Sequence, residues 1–149
     1  MNSTKAFLRA LKHTVYCRIA VSDIHGIGVR AIRNIPAGID PFISFVPNKK
    51  FIYLKDEELK YLPKGIQNYI KDYYINTING YPILLQGLND VSIFGYMNHS
   101  ETPNIGLYAD KQDELCKFVS LKNIKKGEEL VWDYRDSGVK NIKTQFPFI

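Results

Sequence analysis

Cysteine is nearly absent: Cys17 and Cys116, far apart, are the only two among 149 residues. Two isolated thiols exclude a disulfide-stapled framework and cannot build a cysteine-rich zinc site on their own. Long apolar runs are missing too, since nothing approaches the roughly 20 residues that span a bilayer. Lys5, Arg9 and Lys12 interrupt the first segment, so it does not read as a signal peptide. Histidine is scarce, with His13, His25 and His99 alone, and no acidic partner stands at triad-like or metal-like spacing. No metal site is expected. Repeats, low-complexity tracts and linkers are lacking as well. The expectation is one domain, residues 1–149, without a membrane role. It would work inside a cell, in nucleus or cytoplasm, or in a host cell if the source is a virus or a secreting bacterium.

Hydrophobic residues make up 45% of the chain, close to the globular average. The net charge of +5 comes from scattered lysines and reads as a solvated surface. It would tolerate a nucleic acid or a nucleosome nearby but does not call for one.

Asn2-Ser3-Thr4 can cap a short helix that runs to Lys12. Alternating apolar residues predict strands over 15–21, 29–35, 42–46, 81–85, 105–109, 115–121 and 130–132, with Pro36-Ala37-Gly38 as a turn. Asp56-Glu57-Glu58 reads as the acidic first turn of a helix that Pro63 and Gly65 break. Ile66, Tyr69, Ile70 and Tyr73 then recur at helical spacing and read as core. The chain is thus mainly β with one helical insert.

Three short motifs stand out. His25-Gly26-Ile27-Gly28-Val29-Arg30-Ala31 fits the dinucleotide fingerprint as a string. That fingerprint needs a helix after its second glycine, and Pro36 and Gly38 leave no room for one. What survives is a two-glycine turn between strands, where backbone can approach a ligand closely or simply turn. The second motif is Tyr96-Met97-Asn98-His99-Ser100-Glu101-Thr102-Pro103-Asn104. Such a polar set after an apolar stretch suggests a buried hydrogen-bonded junction, although a lone histidine is commonly structural. The third runs from Lys126-Gly127-Glu128-Glu129-Leu130 to Trp132-Asp133-Tyr134. On its own, Tyr134 is an aromatic packed at a strand end.

Together, in this order and spacing, the three motifs resemble the SET-domain protein lysine methyltransferases, over residues 15–134. Compact size and the lack of a cysteine cluster after Tyr134 look most like the minimal viral and bacterial members. The resemblance implies short twisted sheets around a C-terminal pseudoknot. The insert would span about 49–86, and residues 135–149 would form a lid, with Phe146 and Phe148 as its apolar candidates. It implies S-adenosyl-L-methionine as cofactor, held by His25, Gly26, Ile27, Gly28, Tyr96, Asn98 and His99. Asn98 would meet the methionine amino end, and the His99 backbone the adenine. Tyr134 matches the catalytic tyrosine, and Trp132 with Tyr134 would line the lysine channel. The partner would be a protein presenting a lysine, a histone tail or another; monomer and homodimer both stay open. Glu101 replaces a cysteine common in eukaryotic members, and Gly95 stands near a usual arginine. Trp132 occupies a position that helps set the number of methyls added. An inactive SET module that binds lysine peptides is the alternative reading.

Overall fold

The computed structural model shows three helices and three short strands in the first half of the chain. Residues 3–43, 51–74, 76–85, 87–89, 92–109 and 116–137 are described. The chain divides into two compact units. One comprises Met1–Pro47 and Tyr96–Asp133, the other Asn48–Gly95 and Tyr134–Ile149.

In the first unit, helix α1 (Ser3–Thr14) runs two residues past the expected end. Arg33 holds its last carbonyls, donating from its two terminal nitrogens to Lys12 O and His13 O at 2.7 and 3.1 Å. The Arg33 guanidinium also lies over the Tyr16 ring, 3.9 Å from its centroid. Strands β1 (Cys17–Val21) and β2 (Ile27–Ala31) form an antiparallel hairpin. Ala20 faces Gly28 in this hairpin, so Gly28 belongs to the strand and not to the turn. The turn is closed by Ser22, whose hydroxyl accepts the N–H groups of Ile24 and His25 at 2.9 and 3.1 Å. Phe42 lies in a turn where a strand was expected; its N–H donates to Asp40 Oδ1 at 2.9 Å. Residues 44–46 of that expected strand lie outside the described residues.

The second unit holds β3 (Phe51–Leu54), α2 (Asp56–Leu59), α3 (Lys64–Tyr73) and β4 (Tyr81–Leu84). Glu58 accepts the Lys55 N–H at 2.7 Å, which secures the acidic first turn of α2. The expected break falls between Leu59 and Lys64, with Pro63 capping the start of α3, while Gly65 sits inside that helix. Only Ile70 of the expected helical core set is fully buried. Tyr69 and Tyr73 instead pack edge to face at 5.2 Å, with Tyr73 half exposed. The core here is Leu59, Ile70, Tyr81 and Ile83, with Leu54, Leu62, Tyr74 and Leu88 around it. Strand β4, paired antiparallel with β3, supplies half of that core, and β3 was not expected.

The rest of the first unit follows a short 3-10 turn over Ile93–Tyr96: β5 (Asn98–His99), β6 (Ile105–Ala109), β7 (Cys116–Ser120) and β8 (Glu129–Trp132). The main sheet has the order β1-β2-β8-β6-β7, with β5 also paired to β8. Strand β8 is central, and Leu130, Val131 and Trp132 are all buried. It runs antiparallel to β2 and parallel to β5 and β6. The fold is therefore mainly β, in short curled sheets with a small helical insert, as expected.

Candidate functional site

The second motif clasps the third. Ser100 N donates to Trp132 O at 3.0 Å, and Asn104 N donates to Val131 O at 3.2 Å. The buried Asn104 side chain completes the clasp, its Nδ2 donating to Glu129 O at 2.8 Å and its Oδ1 accepting from Val131 N at 2.9 Å. Every one of these bonds satisfies a β8 backbone group that would otherwise be costly to bury. Asn98 is thereby set opposite Val131, and His99 opposite Trp132.

From that position Asn98 reaches the β1–β2 hairpin. Its Nδ2 lies 3.2 Å from His25 O, 3.1 Å from Ile27 O, 2.9 Å from Ser22 Oγ and 2.9 Å from Glu129 Oε1. Ser22 in turn donates to Glu129 Oε1 at 2.7 Å. Gly28 is what leaves room for this cluster. A Cβ there would collide with Glu129 Oε1 and come within 3.1 Å of Asn98 Nδ2. Gly26 serves differently: its φ of +54° lies in the left-handed region, and a Cβ would meet nothing.

Arg30 ties the hairpin to the turn before β8. It donates to Val21 O at 3.1 Å, to Gly127 O at 3.0 Å and to Asp23 Oδ2 at 2.6 Å, with Glu129 Oε2 at 3.7 Å. The bond to Asp23 raises the guanidinium further above its usual range. His99 Nδ1 stands 3.7 Å from Asp133 Oδ1, so the histidine of the second motif faces the aspartate of the third.

The structure thus gathers His25, Gly26, Ile27, Gly28 and Asn98 at one place, and His99 lies beside Asn98 on the same strand. Tyr96 ends the 3-10 turn two residues earlier and is half buried. Trp132 is buried, packed edge-on against Phe118 at 5.6 Å, which in turn packs against Phe42 at 5.5 Å. Tyr134 belongs to the second unit, where it opens the 3-10 turn Tyr134–Ser137. Burial pushes its phenol up to about 12, so at neutral pH it is a protonated hydroxyl. The expected lid residues Phe146 and Phe148 lie outside the described residues.

Sequence reasoning held Arg30, Glu129 and Asp133 within its motifs but gave them no role, and it missed Ser22. A signal was available for two of them. Ser22-Asp23 before a glycine is a turn signature, and Glu129 is a charge at the start of an otherwise apolar strand.

Three motifs clasped around one strand, with an asparagine bonded to a Gly-x-Gly hairpin, define the class. The SET-domain family model matches residues 26–135, and the chain belongs to that family. Among solved structures, it is similar to a Plasmodium falciparum protein described as a candidate histone methyltransferase. The two share 22% identity at a TM-score of 0.50, with 80% of this chain and 93% of that one covered. No curated protein sequence matches the chain.

Proposed function

We propose that this protein is an S-adenosyl-L-methionine-dependent methyltransferase that acts on the side-chain amine of a lysine in another protein. The observation that carries the reading is the oxygen cluster around Asn98. One amide nitrogen with two hydrogens faces four acceptors. Such a surplus of oxygens suits a cationic ligand group, and the cofactor's amino-acid end carries one. The carbonyls of His25 and Ile27 would accept from that group, with the Asn98 amide beside them. Gly28 keeps the backbone side of the cluster clear.

When bound, the cofactor supplies a methyl group on a positive sulfur, open to in-line displacement by an amine. A lysine amine must first lose its proton. At pH ~7.4 this costs roughly 3 units, or about 4 kcal/mol. Buried aromatic surroundings such as those of Trp132 disfavour the ammonium form and supply part of that cost. Tyr134 acts as a neutral hydroxyl, since burial keeps its proton on. Its dipole orients the reacting groups and is not a base. Alignment, more than acid–base work, then sets the rate.

We assign the whole chain to one SET domain, with the 49–86 insert as its substrate-reading part. We place the protein inside a cell, where two isolated thiols stay reduced. A histone tail is the first substrate to try, and other lysine-bearing proteins follow. The test is incubation with methyl-labelled cofactor and a histone panel or lysate, with mass spectrometry of the labelled site. Label on a lysine supports the reading. Cofactor binding without transfer to any lysine would favour an inactive module.

A further inference from the structure

Glu129 is a partly buried carboxylate that the family motifs leave without a role, and it shares one arginine with Asp23. Its side chain is 9% exposed. Burying a carboxylate is costly unless it is paired and hydrogen-bonded. Among the described residues the cation beside it is Arg30, which stands off at 3.7 Å from Oε2 and gives its short contact, 2.6 Å, to Asp23. Oε1 takes neutral donors instead, the Ser22 hydroxyl at 2.7 Å and the Asn98 amide at 2.9 Å. Asn98 is overcommitted among four oxygens. A negative charge therefore borders an acceptor cluster that has more lone pairs than protons to fill them.

We propose that the Glu129 carboxylate is the counter-charge for the ammonium of the cofactor's amino-acid end. It is a positioning residue that acts alongside Asn98 and the His25 and Ile27 carbonyls. This rests on the cofactor reading above. Ser22 and Arg30 aim the carboxylate from its two oxygens, and Gly28 leaves the space in which it points at Asn98.

The test compares two ligands on two proteins by titration calorimetry: S-adenosylmethionine and its analogue lacking the amino group, with wild type and Glu129→Gln. The expected result is an affinity loss of about tenfold or more for S-adenosylmethionine on Glu129→Gln, as for a lost charge-assisted contact. The deaminated analogue should bind wild type and variant alike. An equal loss for both ligands shows a merely structural role and overturns the proposal, as does no loss for either. Should Glu129→Gln fail to fold by thermal melting, Ser22→Ala is read in the same way. It should lose about threefold for the amino-bearing ligand alone, and a ligand-independent change overturns the proposal. If wild type binds no S-adenosylmethionine, this proposal and the functional reading both fall. If wild type binds it and the ligands respond equally, only the role of Glu129 falls.

Discussion

The two glycines of the Gly-x-Gly turn should fail for different reasons when replaced by alanine. Gly28 sits in β2 without a positive φ, so its backbone tolerates a side chain. The space does not, because the new methyl meets Glu129 Oε1, with Glu129 Cδ at 3.0 Å and Asn98 Nδ2 at 3.1 Å. These are polar groups held by short hydrogen bonds and cannot shift without loosening them. Losing a hydrogen bond to a charged group costs about 1.5–3 kcal/mol, and forced overpacking about 1–3. Restricting the unfolded chain returns roughly 0.4–1 kcal/mol. Gly28→Ala should therefore lose roughly 2–4 kcal/mol, a fall in Tm of about 5–15 °C at this size, and bind the cofactor at least about tenfold more weakly. Gly26→Ala meets no atom but adopts the left-handed region, at about 1–2 kcal/mol. Gly26→Asn should recover part of that, since asparagine tolerates this conformation. The assays are thermal melting of the ligand-free variants and calorimetry with S-adenosylmethionine for Gly28→Ala. A Gly28→Ala protein with wild-type Tm and affinity would refute the steric account. A Gly26→Asn protein no more stable than Gly26→Ala would refute the conformational one.

Four further outcomes are expected. Asn104→Ala strands the buried Val131 N–H and Glu129 carbonyl; urea denaturation should show a loss of about 2–4 kcal/mol. Tyr134→Phe should keep its Tm while kcat/KM falls at least about tenfold, roughly 1.4 kcal/mol of transition-state stabilisation; a wild-type rate removes Tyr134 from the chemistry. The methylation rate should rise with pH between about 7 and 9 as substrate lysine loses its proton. No falling limb from Tyr134 should follow there, because its phenol is pushed up to about 12. Burial, aided by the Asp40 charge, pushes the Cys17 thiol from 9.0 up to about 12. A raised folded pKa means stability intact below pH ~9 and lost as pH climbs toward ~12. The urea midpoint should fall over that window, less steeply in Cys17→Ala.

The strands and the three motifs were legible because alternation and turn residues act locally. Residues 105–109 were placed without error, and β8 to within one residue. What failed was non-local. Nothing near His99 in sequence announces Asp133; the parallel pairing of β5 with β8 brings them together. Gly28 was read as turn because a two-glycine string looks like one, yet Ser22 closes the turn earlier and frees Gly28 for the strand. Tyr69 and Tyr73 have core-like spacing, but the unit fills its core with Leu59, Ile70 and the β4 residues Tyr81 and Ile83, and the two tyrosines pack on each other. The strand over Phe51–Leu54 lay in an insert whose pattern was too short to read. Asn98 was singled out by family likeness. Its four oxygen neighbours became visible only when β2, β5 and β8 were side by side.

The central claim is methyl transfer to a protein lysine, and one measurement meets it directly. Purified protein is incubated with methyl-labelled S-adenosylmethionine and a histone panel, then with whole-cell protein, and labelled peptides are sequenced by mass spectrometry. The account expects label on a lysine side-chain nitrogen, lost in Asn98→Ala and Tyr134→Phe. A wild-type protein that binds the cofactor yet labels no lysine in either substrate set would contradict it.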